Sequence, residues 1–267
     1  MCELFALSSL QPAAASFSLE EFARHGGISG PHKDGWGIAF YNGKDARVIR
    51  DTSAAGRSPY LDFIRTTRFV SHTILAHIRL ATTGERALQN CQPFSRELGG
   101  RNHLFVHNGQ LDGVFECLKL GRFQPIGETD SEHAFCHLLS RLEDLWLDDS
   151  HPTIKQRFTI IKQFAEQIRP LGPANFIYSD GEYTFAHGHK RTQPGKEGFY
   201  PPGLHYLQRS CAIPPPETKF PGIHLDYGSK PQEVSLIASV PLSDENWKPF
   251  SEGEILIFHK GSLIAMS

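Results

Sequence analysis

The sequence has no long apolar run, no closely spaced pair of cysteines and no excess of either charge. No stretch of its 267 residues approaches the roughly 20 apolar residues that a membrane-spanning helix needs. The first residues also lack the basic-then-apolar pattern of a signal peptide. Its five cysteines form no CxxC pair, which argues against a disulfide framework and a zinc ribbon. We therefore expect a soluble protein of the reducing cytoplasm.

Charge is nearly balanced along the chain. There are 27 basic and 29 acidic residues, which gives a formal net charge of −2, and no long run of either sign occurs. Nucleic acid and anionic membranes attract proteins through clustered basic side chains. Neither is therefore expected as a partner, and a small-molecule substrate is favoured instead.

Hydrophobic periodicity predicts strands, then two long helices, then further strands. Strands are predicted at residues 4–7, 38–41, 47–49, 73–79, 103–106, 174–178, 234–240, 254–258 and 262–264. Short helices are predicted at 19–24 and 59–68, and long amphipathic helices at 129–146 and 153–168. The segment 82–101 is predicted to be a polar connection.

This order of elements predicts one α+β domain over residues 1–267, with helices layered on sheets. Residues 192–232 interrupt the pattern and contain eight of the 18 prolines. Long irregular segments within a domain commonly act as flaps or covers. We predict such a Pro-rich irregular region here.

A cysteine stands directly before the first apolar strand. Once the initiator Met1 is removed, Cys2 carries a thiol and a free α-amine on one residue. Their ordinary pKa values, about 8.5 and about 7.7–8.0, allow the amine to accept the thiol's proton near neutral pH. Cysteine is also a common small buried residue, so these residues alone leave both interpretations open.

Polar residues follow two other apolar strands. Arg79 ends the strand predicted at 73–79, and His107-Asn108-Gly109 follows the strand at 103–106. Polar groups at strand ends are frequent at functional sites. Asn-Gly is also a common hairpin turn, so this pair by itself is ambiguous.

Four motifs occur in order: an N-terminal cysteine, His77-Ile78-Arg79-Leu80-Ala81-Thr82-Thr83-Gly84, His107-Asn108-Gly109 and Thr129-Asp130-Ser131-Glu132. Together they resemble the class II glutamine amidotransferases. Further segments resemble the stand-alone YafJ-type members, at residues 31–37, 92–94, 108–111, 127–132 and 238–242 with Trp247. The resemblance covers essentially the whole chain. It implies an N-terminal-nucleophile (Ntn) hydrolase with a four-layer αββα sandwich and no cofactor.

The chemistry of glutamine agrees with two of these motifs. Its carboxylate needs a planar fork of donors, which Arg79 supplies. Its ammonium group needs an ionised carboxylate, and Asp130 lies in the first turn of a helix, where an anion is favoured. The alternatives are a surface ion pair for Arg79 and helix capping alone for Asp130.

The resemblance implies the remaining roles. Cys2 is expected to attack the side-chain carbonyl of glutamine, and Asn108 and Gly109 are expected to form the oxyanion hole. Thr82 is expected to help hold the carboxylate of the substrate. Leu80 stands where several relatives carry an aromatic residue, which bears on the shape of the glutamine pocket.

The sequence leaves three functions open. The first is a glutaminase whose ammonia is released or passed to a separate acceptor enzyme, since no residues after 267 remain for a fused synthase. The second is an amidohydrolase that cuts γ-glutamyl amide bonds of a larger peptide or thiol-containing metabolite. The third is a non-catalytic regulator that binds glutamine and retains Met1.

A metal site is the weaker alternative. His133 and His137 are four residues apart on a predicted helix, with Cys136 beside them, a spacing that can bind metal. No third ligand is evident nearby. We therefore predict no metal.

Overall fold

Two antiparallel β-sheets form the centre of the computed structural model, which describes residues 1–14, 16–67, 69–81, 84–148, 151–211 and 231–264. Its strands are β1 Glu3–Ala13, β2 Trp36–Asn42, β3 Asp45–Asp51, β4 Ser71–Ile78, β5 Phe94–Leu98, β6 Arg101–Gly109, β7 Ala174–Ser179, β8 Thr184–Gly188, β9 His205–Cys211, β10 Gln232–Ala238, β11 Lys248–Pro249, β12 Glu254–His259 and β13 Ser262–Ile264. Its α-helices are α1 Ser16–His25, α2 Pro59–Thr67, α3 Val114–Cys117, α4 Asp130–Asp148 and α5 Ile154–Ile168.

In the described part of the chain, the first sheet has seven strands in the order β11-β9-β10-β1-β4-β2-β3. The second has six in the order β13-β12-β8-β7-β6-β5. The first strand of the chain therefore lies in the middle of the first sheet, between β4 and β10. Its backbone is hydrogen-bonded on both sides, which fixes a segment that would fray at most chain ends.

Successive side chains of β1 point to opposite faces of the first sheet and are buried on both. Leu4 and Ala6 pack between the two sheets, against residues such as Val106 of β6. Phe5 and Leu7 pack on the other face, in a second apolar cluster with Phe22 of α1 and with residues of α2. This is the period-two alternation expected of a strand covered on both faces.

The second sheet is covered on its outer face by α4 and α5. Phe105 of β6 stacks on Phe135 of α4 at 5.3 Å between ring centroids, and its ring meets Phe164 of α5 edge-on at 6.3 Å. A third apolar cluster joins these helices to the sheet. The layers are thus helix, sheet, sheet, helix, which confirms the predicted αββα sandwich.

Three strands lie where the sequence pattern predicts none, and one of them, β11, is only two residues long. β5 lies within 82–101, where buried Phe94 and Leu98 flank three polar residues and give no clear alternation. β9 lies within the Pro-rich 192–232 region and pairs with β10 along its whole length. The residues of β9 are mostly polar, so β9 is a strand because it pairs with β10 and not because of its own hydrophobicity. Residues 212–230 lie outside the described part of the chain.

We expect the stacked aromatic cluster to dominate the stability of the second sheet. Phe105 is fully buried, so its replacement by alanine should lower the free energy of unfolding by about 3–5 kcal/mol. Phe63, which is 55% exposed on α2, is the matched control and should cost less than about 1 kcal/mol. Urea denaturation measures both, and equal losses would contradict this account of the core.

Candidate active site

The pairing of β1 with β4 determines what faces the thiol of Cys2. Glu3 lies opposite Ile78 in the ladder, so the residue before Glu3 reaches the backbone just beyond β4. The Leu80 N–H donates to the sulfur of Cys2, and the Leu80 carbonyl accepts from the thiol, both at 3.4 Å. The sulfur therefore lies beside the residue that follows Arg79.

Burial raises the pKa of the Cys2 thiol above its ordinary value. The Leu80 N–H, the terminal ammonium and the charge of Arg79 act in the opposite direction, and the carboxylate of Asp130 adds to the increase. Because Coulomb interactions weaken with distance, both charged side chains lie within electrostatic reach of the sulfur. A raised pKa also means that the sulfur is a thiol at neutral pH and needs a base before it can attack.

Arg79 is nearly fully buried at the end of β4. Its backbone N–H donates to the Gly35 carbonyl at 2.8 Å. Its guanidinium donates to the carbonyls of Gly84 at 3.0 Å and Glu85 at 2.9 Å. These carbonyls hold the planar group in one orientation, which is the pre-organisation that recognition of a carboxylate requires.

Asp130 is the first residue of α4 and is also buried. One carboxylate oxygen accepts from the Leu111 N–H and the other from the Ser131 N–H, each at 2.8 Å. The capping interaction comes from a neighbour, because the hydroxyl of Thr129 accepts from the Glu132 N–H at 3.2 Å. Asp130 is thus not the cap of the helix.

Asn108 and Gly109 end β6. The side chain of Asn108 is fully buried, and its amide nitrogen donates to the Ser239 hydroxyl at 3.3 Å. The same hydroxyl accepts from the Leu4 N–H at 2.9 Å, which ties Asn108 to β1. Gly109 passes so close to Pro173 that a Cβ atom would lie 1.7 Å from its carbonyl oxygen. Only glycine fits this approach.

A chain of hydrogen bonds links the end of β6, where Asn108 and Gly109 lie, to Asp130 at the start of α4. The side chain of Gln92 accepts from the His107 N–H at 2.6 Å and donates to the His107 carbonyl at 3.2 Å. Nδ1 of the same histidine lies 2.8 Å from the hydroxyl of Ser131, which donates to Asp130 at 3.2 Å. Burial lowers the pKa of His107, which keeps the ring neutral, so the strand end is linked to the Asp130 carboxylate without added charge.

A cavity of about 60 Å³ opens beside the sulfur. Its described lining residues are Met1, Cys2, Leu80, Gly109, Gln110, Pro173 and Phe199. The nucleophile candidate and the oxyanion-hole candidate Gly109 therefore share one space. Thr82 lies outside the described residues, so its predicted role stays a prediction.

His32 is a site residue that the sequence pattern did not single out. Its Nε2 lies 2.6 Å from the Met1 carbonyl oxygen, and its Nδ1 lies 3.2 Å from the His25 carbonyl oxygen. Its only signal in the sequence is membership of the 31–37 segment. His25 in turn donates to the carboxylate of Glu3 at 2.7 Å, which anchors this loop to the start of β1.

The two histidines considered for a metal have other partners. Nε2 of His133 donates to the Leu118 carbonyl at 2.8 Å. The ring of His137 lies 2.6 Å from the Lys119 carbonyl and 3.1 Å from the side-chain oxygen of Gln167. No group of three metal-ligating side chains occurs among the residues that the structure describes.

Comparison with known proteins decides the family. The model of the family "Glutamine amidotransferases class-II" matches residues 1–267. The chain belongs to the class II glutamine amidotransferases. The resemblance drawn from the four motifs is thereby confirmed.

Similar proteins agree with this membership. The chain is 36% identical to YafJ of Escherichia coli (strain K12), named as a glutamine amidotransferase, over 99% of this chain and all of that one. A crystal structure of a Pseudomonas aeruginosa PA01 protein, also named as a glutamine amidotransferase, is similar with a TM-score of 0.70 and 32% identity, covering 99% and 100% of the two chains. The glutamine phosphoribosylpyrophosphate amidotransferase of B. subtilis shares the fold at a TM-score of 0.58 and 15% identity, with 98% of this chain and 48% of that one covered.

Membership makes the chain an enzyme of the Ntn-hydrolase type, in a family that acts on the side-chain amide of glutamine. The fold expected from the motifs and the fold observed agree. Within the described ranges, no helix is long and apolar enough to cross a membrane.

The ion pair between Glu3 and His25 should make stability depend on pH. The hydrogen bond that His25 donates to the Glu3 carboxylate raises the pKa of His25. Burial is the largest single influence on Glu3 and works against its ionisation, but the hydrogen bond from His25 together with the charges of His25, His32 and Arg191 lowers the pKa of this carboxyl. A histidine whose pKa is raised by folding contributes its full stabilisation at pH values below its unfolded pKa of about 6.5. This contribution is lost as the pH rises through the folded pKa.

Glu3→Gln should therefore lower the free energy of unfolding most near pH 5–6, and the difference from the parent protein should shrink towards pH 9. Urea denaturation at several pH values measures this. Glu143→Gln is the matched control, because its partner Arg122 stays charged throughout this range. A loss for Glu3→Gln that is constant from pH 5 to 9 would contradict the assignment.

Proposed function

We propose that the chain, once Met1 is removed, hydrolyses the side-chain amide of glutamine through a γ-glutamyl thioester on Cys2. The observation that carries this proposal is the position of the sulfur. It shares a cavity with Gly109 and lies within reach of the charges of Arg79 and Asp130. A nucleophile and an oxyanion donor thus share one cavity, and two groups of opposite charge act on the same sulfur.

The two charges suit the two ends of an amino acid. The guanidinium of Arg79, held by loop carbonyls, binds the α-carboxylate of glutamine. The carboxylate of Asp130, whose oxygens each accept one backbone N–H, binds the α-ammonium. Thr82 adds a hydroxyl at the carboxylate end, as the family resemblance implies. The side-chain amide then extends towards Cys2.

Attack begins when the α-amine of Cys2 takes the proton of the thiol, whose pKa is raised by burial. The sulfur forms a bond to the amide carbon, and the oxygen becomes an oxyanion that Asn108 and the Gly109 N–H stabilise. A missing donor of this kind costs about 2.7–4 kcal/mol of transition-state stabilisation. The C–N bond breaks, and ammonia leaves with a proton from the α-ammonium. Water then hydrolyses the thioester to glutamate and regenerates the thiol.

The ammonia is either released or passed to a separate acceptor enzyme. Glutaminase activity without any acceptor present distinguishes an enzyme that works alone from one that needs a partner. A chain that retains Met1 and binds glutamine without turnover would be a regulator instead, so intact mass of the purified protein is the first measurement.

Removal of the thiol should abolish turnover. Cys2→Ala should lose at least about 10³-fold in glutaminase kcat, because no other described residue that lines the cavity carries a thiol to form the thioester. An electrophilic glutamine analogue should add one mass equivalent to the parent protein, on Cys2 alone. Peptide mass spectrometry identifies the labelled residue.

Cys117 provides the control for this experiment. It is an exposed free thiol that a general alkylating reagent will reach. Cys117→Ala should keep full activity, and the glutamine analogue should leave Cys117 unlabelled in the parent protein. Labelling of a cysteine other than Cys2, or activity in Cys2→Ala, would contradict the proposal.

Neutralising the ammonium-binding group should weaken substrate binding more than chemistry. Asp130→Asn keeps an acceptor for the Leu111 N–H but loses the charge, so KM should rise about 10- to 150-fold, with a smaller change in kcat. Asp130 raises the pKa of Cys2, so the substitution should lower it. The pH at which activity increases should therefore also become lower. Steady-state kinetics over pH measures both effects. Asp112→Asn, an exposed neighbour, should change neither.

A further inference from the structure

We propose that the cavity beside Cys2 is a leaving-group subsite that accepts the small, uncharged, apolar amine of a γ-glutamyl amide, in the space next to which Met1 sits before it is removed. This inference rests on the proposed thioester chemistry at Cys2. It adds a class of substrate, γ-glutamyl alkylamides, for which the leaving group is an amine rather than ammonia.

The cavity is not the pocket for the amino-acid head. Its lining contains Cys2 and Gly109, the groups proposed to meet the reacting carbonyl, whereas Arg79 and Asp130 are absent from it. A γ-glutamyl substrate whose head is bound by those two charges thus reaches this space only with its carbonyl carbon and what lies beyond. What lies beyond the carbonyl is the leaving group.

The position of Met1 also indicates that the leaving group lies in this cavity. Its carbonyl oxygen lies 2.6 Å from Nε2 of His32, and its sulfur accepts from the Thr192 N–H at 3.3 Å. The carbonyl carbon of Met1 is bonded to the nitrogen that becomes the α-amine of Cys2. In the proposed mechanism this amine gives its proton to the leaving nitrogen. The leaving group must therefore lie next to the nitrogen, in the region that removal of Met1 opens.

Size and polarity both favour an alkyl group. The cavity measures about 60 Å³ with Met1 still in place, whereas about 10–15 Å³ on the same measure holds one water molecule. Ammonia needs no more room than water. Among the described residues, the walls are the apolar side chains of Leu80, Pro173 and Phe199 with the neutral amide of Gln110, and none of these lining side chains is ionised. A carboxylate on the leaving group would have to be desolvated there without a cationic partner from these residues.

Phe199 is placed by a short hairpin. The backbones of Arg191 and Tyr200 exchange hydrogen bonds at 3.0 and 2.9 Å, and the side chain of Gln193 donates to the carbonyls of Tyr200 and Pro202. Phe199 stands next to this bridge, 47% exposed, with its remaining surface towards the cavity. Phe199 can therefore be replaced by a smaller residue, which removes part of the cavity wall without exposing the apolar core.

The reaction follows the same steps as the proposed hydrolysis of glutamine, with an alkylamine in place of ammonia. The sulfur of Cys2 bonds to the γ-carbonyl carbon, the C–N bond breaks, and the amine leaves with the proton that the α-ammonium donates. One water molecule then hydrolyses the thioester. The products are glutamate and the free alkylamine, and no oxidant, reductant or metal takes part.

The test uses the full-length protein with loss of Met1 verified by intact mass. Substrates are glutamine, the methyl-, ethyl- and n-butylamides of γ-glutamate, and γ-glutamylglycine, with released glutamate measured by mass spectrometry. We expect kcat/KM to rise about two- to fourfold per methylene through the alkylamides, the upper value being that of a fully buried methylene. The glycine adduct, which carries a carboxylate, should be at least about tenfold poorer than the butylamide.

Phe199→Ala provides the structural test. It should lower kcat/KM for the butylamide at least about fivefold more than for glutamine, because it removes a wall that only the longer amine touches. Tyr200→Ala, the adjacent residue at 44% exposure and outside the cavity lining, is the control and should leave the ratio of the two substrates unchanged.

The outcomes separate the two proposals. Turnover of glutamine with a flat or falling series of alkylamides, or a preference for γ-glutamylglycine, overturns the subsite and leaves the glutaminase intact. Turnover of the butylamide without glutamine supports the subsite and replaces glutamine as the substrate. Loss of turnover of every γ-glutamyl compound overturns both.

Discussion

The site depends on one constraint, the fixed position of β1 in the middle of the first sheet. Phe5 pairs with Ala238 on one side and Ala76 on the other, so the strand has no free edge near its start. Leu4 adds a second anchor, since its N–H and carbonyl both bond to Ser239. With the strand pinned at this point, the two residues before it have little freedom, and a chain terminus becomes precise enough for chemistry.

The period of the strands then decides which side chains meet. At the ends of three strands of the two sheets, a polar residue or the cysteine lies an even number of positions from an apolar residue of the inner face. Cys2 shares the face of Leu4, Arg79 the face of Leu75, and Asn108 the face of Val106. The site is therefore the polar end of the core between the sheets, at the place where the apolar packing of that core stops.

Much of this arrangement is visible in the sequence because its causes are local. Continuous apolar runs and two strong helical faces predict the strands and helices that build the layers. The polar residues at strand ends, such as Arg79 and Asn108, also stand out. What joins them does not, since Ser239 meets Asn108 across 131 positions and His32 meets Met1 through a backbone carbonyl. β9 is likewise a strand only because β10 offers it an edge.

Burial of the thiol has a consequence for how such a site is activated. The environment raises the pKa of Cys2 despite the nearby charge of Arg79, so the sulfur depends on a base within reach. While Met1 is attached, the nitrogen of Cys2 is a peptide nitrogen and has no basicity to offer. The nitrogen is not basic because it is bonded to the Met1 carbonyl, whose oxygen lies 2.6 Å from Nε2 of His32.

Removal of one residue therefore changes three things at once in the proposed mechanism. It creates the base, opens space beside the sulfur and leaves Nε2 of His32 within about 5 Å of the new amine, since only two bonds separate the lost oxygen from that nitrogen. The N-terminal position of the proposed nucleophile and the deep burial of β1 thus act together, because an internal cysteine in the same environment would have the raised pKa without the amine.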